Sequence, residues 1–160
     1  MRVIIAAVGR LKAGPERELS VRYGERAAAG GRRIGWQDVA VVEVAESRSR
    51  RPQDRRREEA VGLGAAVPEI AAIVALDATG EVLSSPQLAA RLERWRDAGM
   101  PAAAFLIGGA DGLADSLQRR ANLRLAFGTA TWPHQLVRIM LLEQLYRAMT
   151  ILSGHPYHRV

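Results

Sequence analysis

Three short stretches in the last third of the chain carry residue types that could do chemistry. Ile107-Gly108-Gly109-Ala110-Asp111-Gly112 follows an apolar run, and its glycines allow positive φ and close backbone approach to a ligand. The spacing is G-G-x-x-G, with no helix signalled after the first glycine, so it is not a dinucleotide fingerprint. A tight turn and a small-molecule loop are both compatible with it. Phe127-Gly128-Thr129-Ala130-Thr131-Trp132-Pro133-His134 mixes a glycine, hydroxyls and aromatics ahead of a long helical pattern. Such a loop can cradle an adenine through backbone amides, and its aromatics can equally be core residues. The tail Gly154-His155-Pro156-Tyr157-His158-Arg159-Val160 gathers two imidazoles, a phenol and a guanidinium. These groups are too few and too close for a metal site, but they suit a base and its phosphates, which is where Tyr157 and Arg159 are expected to act. Chain ends are also often frayed and inert. Arg138 and Arg147 interrupt an apolar helix, and each needs solvent, a phosphate or a carboxylate such as Glu143.

The elements that must position these residues read as alternating apolar strands and helices. Arg2 to Val8 is a β-branched and alanine run closed by Gly9, and Pro15 to Ala29 has helix formers with Gly30-Gly31 as its stop. Asp38 to Val44 predicts a second strand. Ser47 to Arg57 crowds Arg48, Arg50, Arg51, Arg55, Arg56 and Arg57 into a charged loop leading into a helix. Ile70 to Leu76 and Ala102 to Ile107 are continuously apolar, as strands covered on both faces are, and Asp77 to Ser84 reads as a turn. Ser85-Pro86 opens a helix to about Ala98. Asp115 to Ala121 is a short helix and Leu123 to Ala126 a short strand. The final helix, opened by Pro133 and ending near Ser153-Gly154, is apolar around nearly its whole circumference. The pattern predicts an α/β fold with a mostly parallel sheet and helices on both faces. One sheet cannot cover that last helix, so a homodimer is expected.

Composition narrows the chemistry. The 160 residues, 48% of them hydrophobic, suit one domain spanning 1–160. Lysine plus arginine number 23 against 17 acidic residues, a formal charge of +6 carried almost wholly by arginine. Planar guanidinium forks favour anionic partners and fit RNA phosphates and bases, although a solvated basic surface has the same composition. There is no cysteine, which excludes disulfides, thiolate metal sites and a cysteine nucleophile. The apolar run Val3 to Val8 is too short for a signal peptide and no stretch can span a bilayer, so a cytoplasmic protein without membrane contact is expected.

Leu106 to Leu113, Leu125 to Arg138, Glu143-Gln144-Leu145-Tyr146-Arg147-Ala148 and His155-Pro156-Tyr157-His158 together resemble the ribosomal RNA large subunit methyltransferase H family. Ala7-Val8-Gly9-Arg10-Leu11-Lys12, Leu76-Asp77 and Ser85-Pro86-Gln87-Leu88-Ala89 extend the likeness over the whole chain, while 27–67 is richer in alanine, glycine and arginine than the family pattern. The resemblance implies a SPOUT methyltransferase fold with a C-terminal deep trefoil knot. It implies S-adenosyl-L-methionine held by Leu76, Gly108 and the third loop of Phe127, Gly128, Thr129, Ala130, Thr131 and Trp132. It further implies methylation of N3 of a pseudouridine in 23S rRNA on the assembled ribosome. That reaction needs alignment and a place for the imide proton, so His155 and His158 become candidate bases and Arg147 a candidate for stabilising the anion. Arg138, Tyr157 and Arg159 are then candidates for contact with RNA, and no metal is expected. A nonenzymatic ribosome- or RNA-binding protein and a SPOUT methyltransferase acting on tRNA are the alternatives.

Overall fold

The computed structural model describes residues 1–158. In chain order it contains β1 (Arg2–Val8), α1 (Pro15–Gly31), a 3-10 turn (Arg32–Ile34), β2 (Asp38–Val44), α2 (Pro52–Ala65), β3 (Ala72–Val82) and α3 (Ser85–Asp97). β4 (Ala102–Ile107), α4 (Asp115–Arg120), β5 (Leu123–Ala126) and α5 (His134–Leu152) complete it. The five strands form one sheet in the order β2-β1-β4-β3-β5, and every neighbouring pair is parallel. Parallel strands need crossovers, and the intervening helices cover both sheet faces. Along β1 the side chains alternate accordingly. Val3, Ile5 and Ala7 join Phe105, Leu88, Leu141, Leu142 and Leu145 on one side, while Ala6 and Val8 join Leu63, Leu106 and Leu117 on the other.

Besides the start of α2 at Pro52, inside the stretch 47–57 read as a loop, and of β3 at Ala72 rather than Ile70, two boundaries differ from those the sequence predicts. Gly30 and Gly31 do not stop α1, which runs through them. They are packing residues: a Cβ on Gly30 would lie 2.3 Å from Met149 Cε of α5, and one on Gly31 would lie 3.1 Å from the buried Trp36. The left-handed residue that ends this segment is Gly35, at φ 80°. The second difference is β3, which continues past Leu76 to Val82. Leu125 of β5 faces both Leu76 and Glu81, so residues 77–80 loop out of a ladder that then resumes. Asp77 stabilises the excursion by accepting from the Thr79 amide (2.9 Å) and from Arg124 (2.8 Å). Gly80 passes so close to β5 that a Cβ there would meet the Arg124 carbonyl at 2.6 Å.

α3 begins with a reciprocal cap. Ser84 Oγ accepts from the Gln87 amide, and Gln87 Oε1 accepts from the Ser84 amide at 2.8 Å. Gly99, at φ 77°, follows its C-terminus and turns the chain toward β4. These two ends set where β3 finishes and where β4 begins.

Candidate active site

β3, β4 and β5 lie side by side, so the loops leaving their C-terminal ends converge. They form a cleft lined by Leu76, Asp77 and Ala78 where β3 breaks from its ladder, by Ile107, Gly108, Gly109 and Gly112 at the end of β4, and by Leu125 to Gly128 with Ala130 to Trp132 at the end of β5. His134 and Val137 from the start of α5 close one wall. Ligands of open parallel sheets bind at this edge, beyond the carboxyl ends of the strands. The cleft holds about 140 Å³. Sites that enclose whole ligands span roughly 300–1,000 Å³. It therefore accommodates one end of a ligand, with the remainder in its open mouth.

Seven of the eight residues expected at a cofactor site line this cleft: Leu76, Gly108, Phe127, Gly128, Ala130, Thr131 and Trp132. Thr129 is exposed and is not among the lining residues. The third loop is closed by Trp132 Nε1 donating to the Phe127 carbonyl at 3.1 Å. In the second loop only Gly112 has positive φ (78°). Gly108 serves a different need, because a Cβ on it would sit 2.5 Å from the Gly112 carbonyl carbon. Its bare backbone is what lets the loop fold onto itself.

Sequence reasoning did not assign Asp77 to the cleft, and it carried His134 only as the last residue of a candidate loop, not as a cofactor-site residue. The signals were present, since Asp77 directly follows an apolar strand and His134 opens the long helix. Burial pushes the Asp77 carboxyl up, but the Thr79 amide, Arg124 and the Thr79 hydroxyl together hold it below the usual carboxylate range. The cleft thus presents an ionised carboxylate, paired with Arg124, beside walls that are apolar apart from Thr131 and His134.

The glycine loop is also tied to α2. Arg55 forks onto Asp111 at 2.6 and 3.0 Å and donates to the carbonyls of Ser49 and Arg50, both at 3.0 Å. The Arg55 hydrogen bond holds the Asp111 carboxyl low. Arg55 therefore belongs to the scaffold rather than to a freely solvated arginine cluster.

Arg138 also differs from the expected RNA contact. It is 1% exposed. Nη1 donates to Glu43 at 2.8 Å, and Nη2 donates to the Gly9 carbonyl at 2.8 Å and the Val8 carbonyl at 3.3 Å. Desolvation pushes its pKa down and Glu43 pushes it back up. With its fork committed inside the chain, it joins α5 to the ends of β1 and β2 and offers no surface to a phosphate.

The tail folds back over α5. Arg147 pairs with Glu143 and stacks on the Tyr157 ring, 4.9 Å from its centroid, with Nη1 3.5 Å from His158 Nδ1. The Tyr157 hydroxyl donates to Glu143 at 3.1 Å, and its ring lies 4.6 Å from that of Tyr146. Burial first, then Glu143, pushes the Tyr157 phenol up to about 12. His155 is exposed, and its Nδ1 accepts the Tyr157 amide at 3.2 Å. The cluster and the cleft are not brought together directly, and His155, Tyr157 and His158 do not line the cleft. A larger groove of about 770 Å³ joins them, sharing Leu125 to Gly128 with the cleft and reaching Tyr23 and Glu143. Arg159 lies outside the described residues. Among the described residues no group of His, Cys, Asp or Glu is placed to hold a metal ion, and no helix is long and apolar enough to cross a membrane.

The family model described as "Predicted SPOUT methyltransferase" matches residues 1–158. The chain belongs to the SPOUT methyltransferase family, and within it to the ribosomal RNA large subunit methyltransferase H family. It is 58% identical over 159 residues to the ribosomal RNA large subunit methyltransferase H of Afipia carboxidovorans, covering 99% of each chain. The proteins of that name from Nitrobacter winogradskyi and Bradyrhizobium diazoefficiens are 57% and 56% identical, again over 99% of both chains. Among solved structures, a "probable methylase family protein" from Haemophilus influenzae aligns with a TM-score of 0.52 at 11% identity, over 99% of this chain and 70% of that one. That likeness shows the fold alone. The chain is accordingly a methyltransferase.

Proposed function

We propose that the enzyme methylates N3 of a pseudouridine in 23S rRNA on the assembled ribosome, with S-adenosyl-L-methionine as methyl donor. The observation that carries the reading is the cleft where three strand ends meet, because its walls suit that donor. Leu76, Ile107, Leu125 and Val137 offer apolar surface to a purine and to methylene groups, the third loop adds aromatic faces and amides, and Asp77, shared with Arg124, places negative charge at the cleft's edge. Leu76, Gly108, Phe127, Gly128, Ala130, Thr131 and Trp132 would hold the donor, with Asp77 added from the geometry and Thr129 acting through its backbone. Bound there, the donor supplies an electrophilic methyl group. The names of the relatives support rRNA as the substrate class.

The protein's own part is alignment and proton handling. Arg147, held by Glu143 and Tyr157, is a fixed cation suited to a developing imide anion. His155 and His158 are the candidate proton acceptors. A neutral His155 whose Nδ1 accepts an amide carries its own proton on Nε2, so acting as a base requires release of that contact. Tyr157 and Arg159 would meet the RNA.

The working unit is a single domain of residues 1–160 assembled as a homodimer in the cytoplasm, with the knotted threading implied by the resemblance. Support for the dimer comes from the larger groove, where Ile139 and Met140 of α5 face Leu19, Pro86 and the exposed Val82, leaving an apolar wall that a second copy would cover. Titration calorimetry with the donor, combined with methyl transfer to purified ribosomes lacking the modification, tests the reading. Binding with one modified pseudouridine is expected. Transfer to tRNA instead would replace the substrate, and absence of donor binding would overturn the cleft assignment.

A further inference from the structure

The basic side chains near the C-terminal edge of the sheet fall into two sets. Arg55, Arg124, Arg138 and Arg147 are each committed to a carboxylate. Arg10, Lys12 and Arg48 are exposed and, among the described residues, form no ion pair. Those three line one groove of about 860 Å³ between the segments leaving β1 and β2, with Gln135 of α5 also in its lining. Glu16 and Glu46 also line it. Glu46 is turned toward His134, with Oε1 3.9 Å from its Nε2. The groove adjoins the cleft, for a Cβ on Gly9 in its wall would lie 3.4 Å from Nε2 of the cleft residue His134.

The segment carrying Arg48 is pinned from beneath. The Ser47 amide donates to Glu59, the Ser47 and Ser49 hydroxyls both donate to Glu58, and Arg55 holds the carbonyls of Ser49 and Arg50. Its backbone is therefore ordered by acidic and guanidinium groups of α2, while Arg48, Arg50 and Arg51 point outward and exposed. A rigid display of cations costs less ordering entropy on binding than a flexible one. Phosphates set register and orientation on a nucleic acid without reading its sequence.

We propose that the groove of Arg10, Lys12 and Arg48, continued through Arg50 and Arg51, seats the RNA backbone and holds phosphates of the strand whose base is presented to the donor in the adjacent cleft. This inference rests on the rRNA methyltransferase reading. Loss of three phosphate contacts lowers the slope of log affinity against log salt by about 2 to 3.

The test measures binding of purified ribosomes to wild-type enzyme, to R10A/K12A/R48A and to R48A, between about 50 and 200 mM salt. Donor affinity is measured in parallel, and R119A/R120A on α4 is the control. The inference expects a slope reduced by about 2 to 3 in the triple variant and by roughly 1 in R48A. It also expects a raised KM for ribosomes with unchanged donor affinity, and a wild-type slope in the control. A wild-type slope in the triple variant, while the wild-type enzyme binds and methylates ribosomes, overturns the groove alone. Wild-type enzyme that neither binds nor methylates ribosomes overturns the reading beneath it.

Discussion

Replacing Arg138 separates two roles for the same residue. In Arg138→Ala the Val8 and Gly9 carbonyls, both in buried residues, lose a charged donor, and Glu43 loses its partner. Glu43 is 35% exposed and can be rehydrated, so its share is that of a partly exposed pair, about 1 kcal/mol. Two acceptors stripped of a donor cost about 1 kcal/mol each at the lower end of the usual range. The total is about 3 kcal/mol, before any cavity left by the side chain. For a chain of this size that lowers Tm by roughly 6 to 12 °C. Arg138→Met keeps much of the volume and should lose less, while Glu43→Gln should cost only about 1 kcal/mol because an acceptor remains. Thermal unfolding followed by circular dichroism, with ribosome binding measured below the transition, is the assay. A Tm within about 2 °C of wild type in Arg138→Ala would refute the argument, and lost ribosome affinity at unchanged Tm would assign the guanidinium to RNA.

Other expectations follow from the same geometry. Gly108→Ala places a Cβ against the Gly112 backbone, so donor affinity should fall about tenfold or more, equivalent to roughly 1.4 kcal/mol, as calorimetry would read. Removing residues 155–160 should spare donor binding and reduce methyl transfer at least tenfold in a ribosome assay, because Tyr157 and His158 contact Arg147 but not the cleft. The Tyr157 phenol is raised from 10.0 to about 12, so the stability its docking supplies is complete below pH 10 and lost as pH rises toward 12. Tyrosine-labelled NMR titration of wild type, with Tyr157→Phe to identify the resonance, checks this. A phenol titrating near 10 would contradict the docked tail.

The strands β1, β2, β4 and β5 were legible with their bounds because each is an apolar run ended by a local signal. Residues 77–82 were not, because their place in the sheet depends on pairing with β5, some 45 residues away in the chain. Gly30 and Gly31 look like a stop in isolation, and only the approach of Met149 and Trp36 explains why they lie inside a helix. The loops that meet at the cleft were recognisable from composition. The fate of individual arginines was not, since Arg55 and Arg138 find partners 56 and 95 positions away. Composition counts cations, whereas folding decides which of them remain available.

The Arg138 link also has a consequence for the order in which the protein is made. Glu43 and its partner are 95 residues apart. At about 5–20 residues per second, the ribosome finishes Glu43 roughly 5 to 20 seconds before it adds Arg138. Through that interval the nascent chain has β1 without the helix that covers it, and the Val8 and Gly9 carbonyls without their donor. The walls of the cleft from Phe127 to Val137 are made in the same interval as the start of that helix. A chain stalled before that point therefore lacks both the α5 cover over β1 and these cleft walls, so the cover and the cleft are completed together.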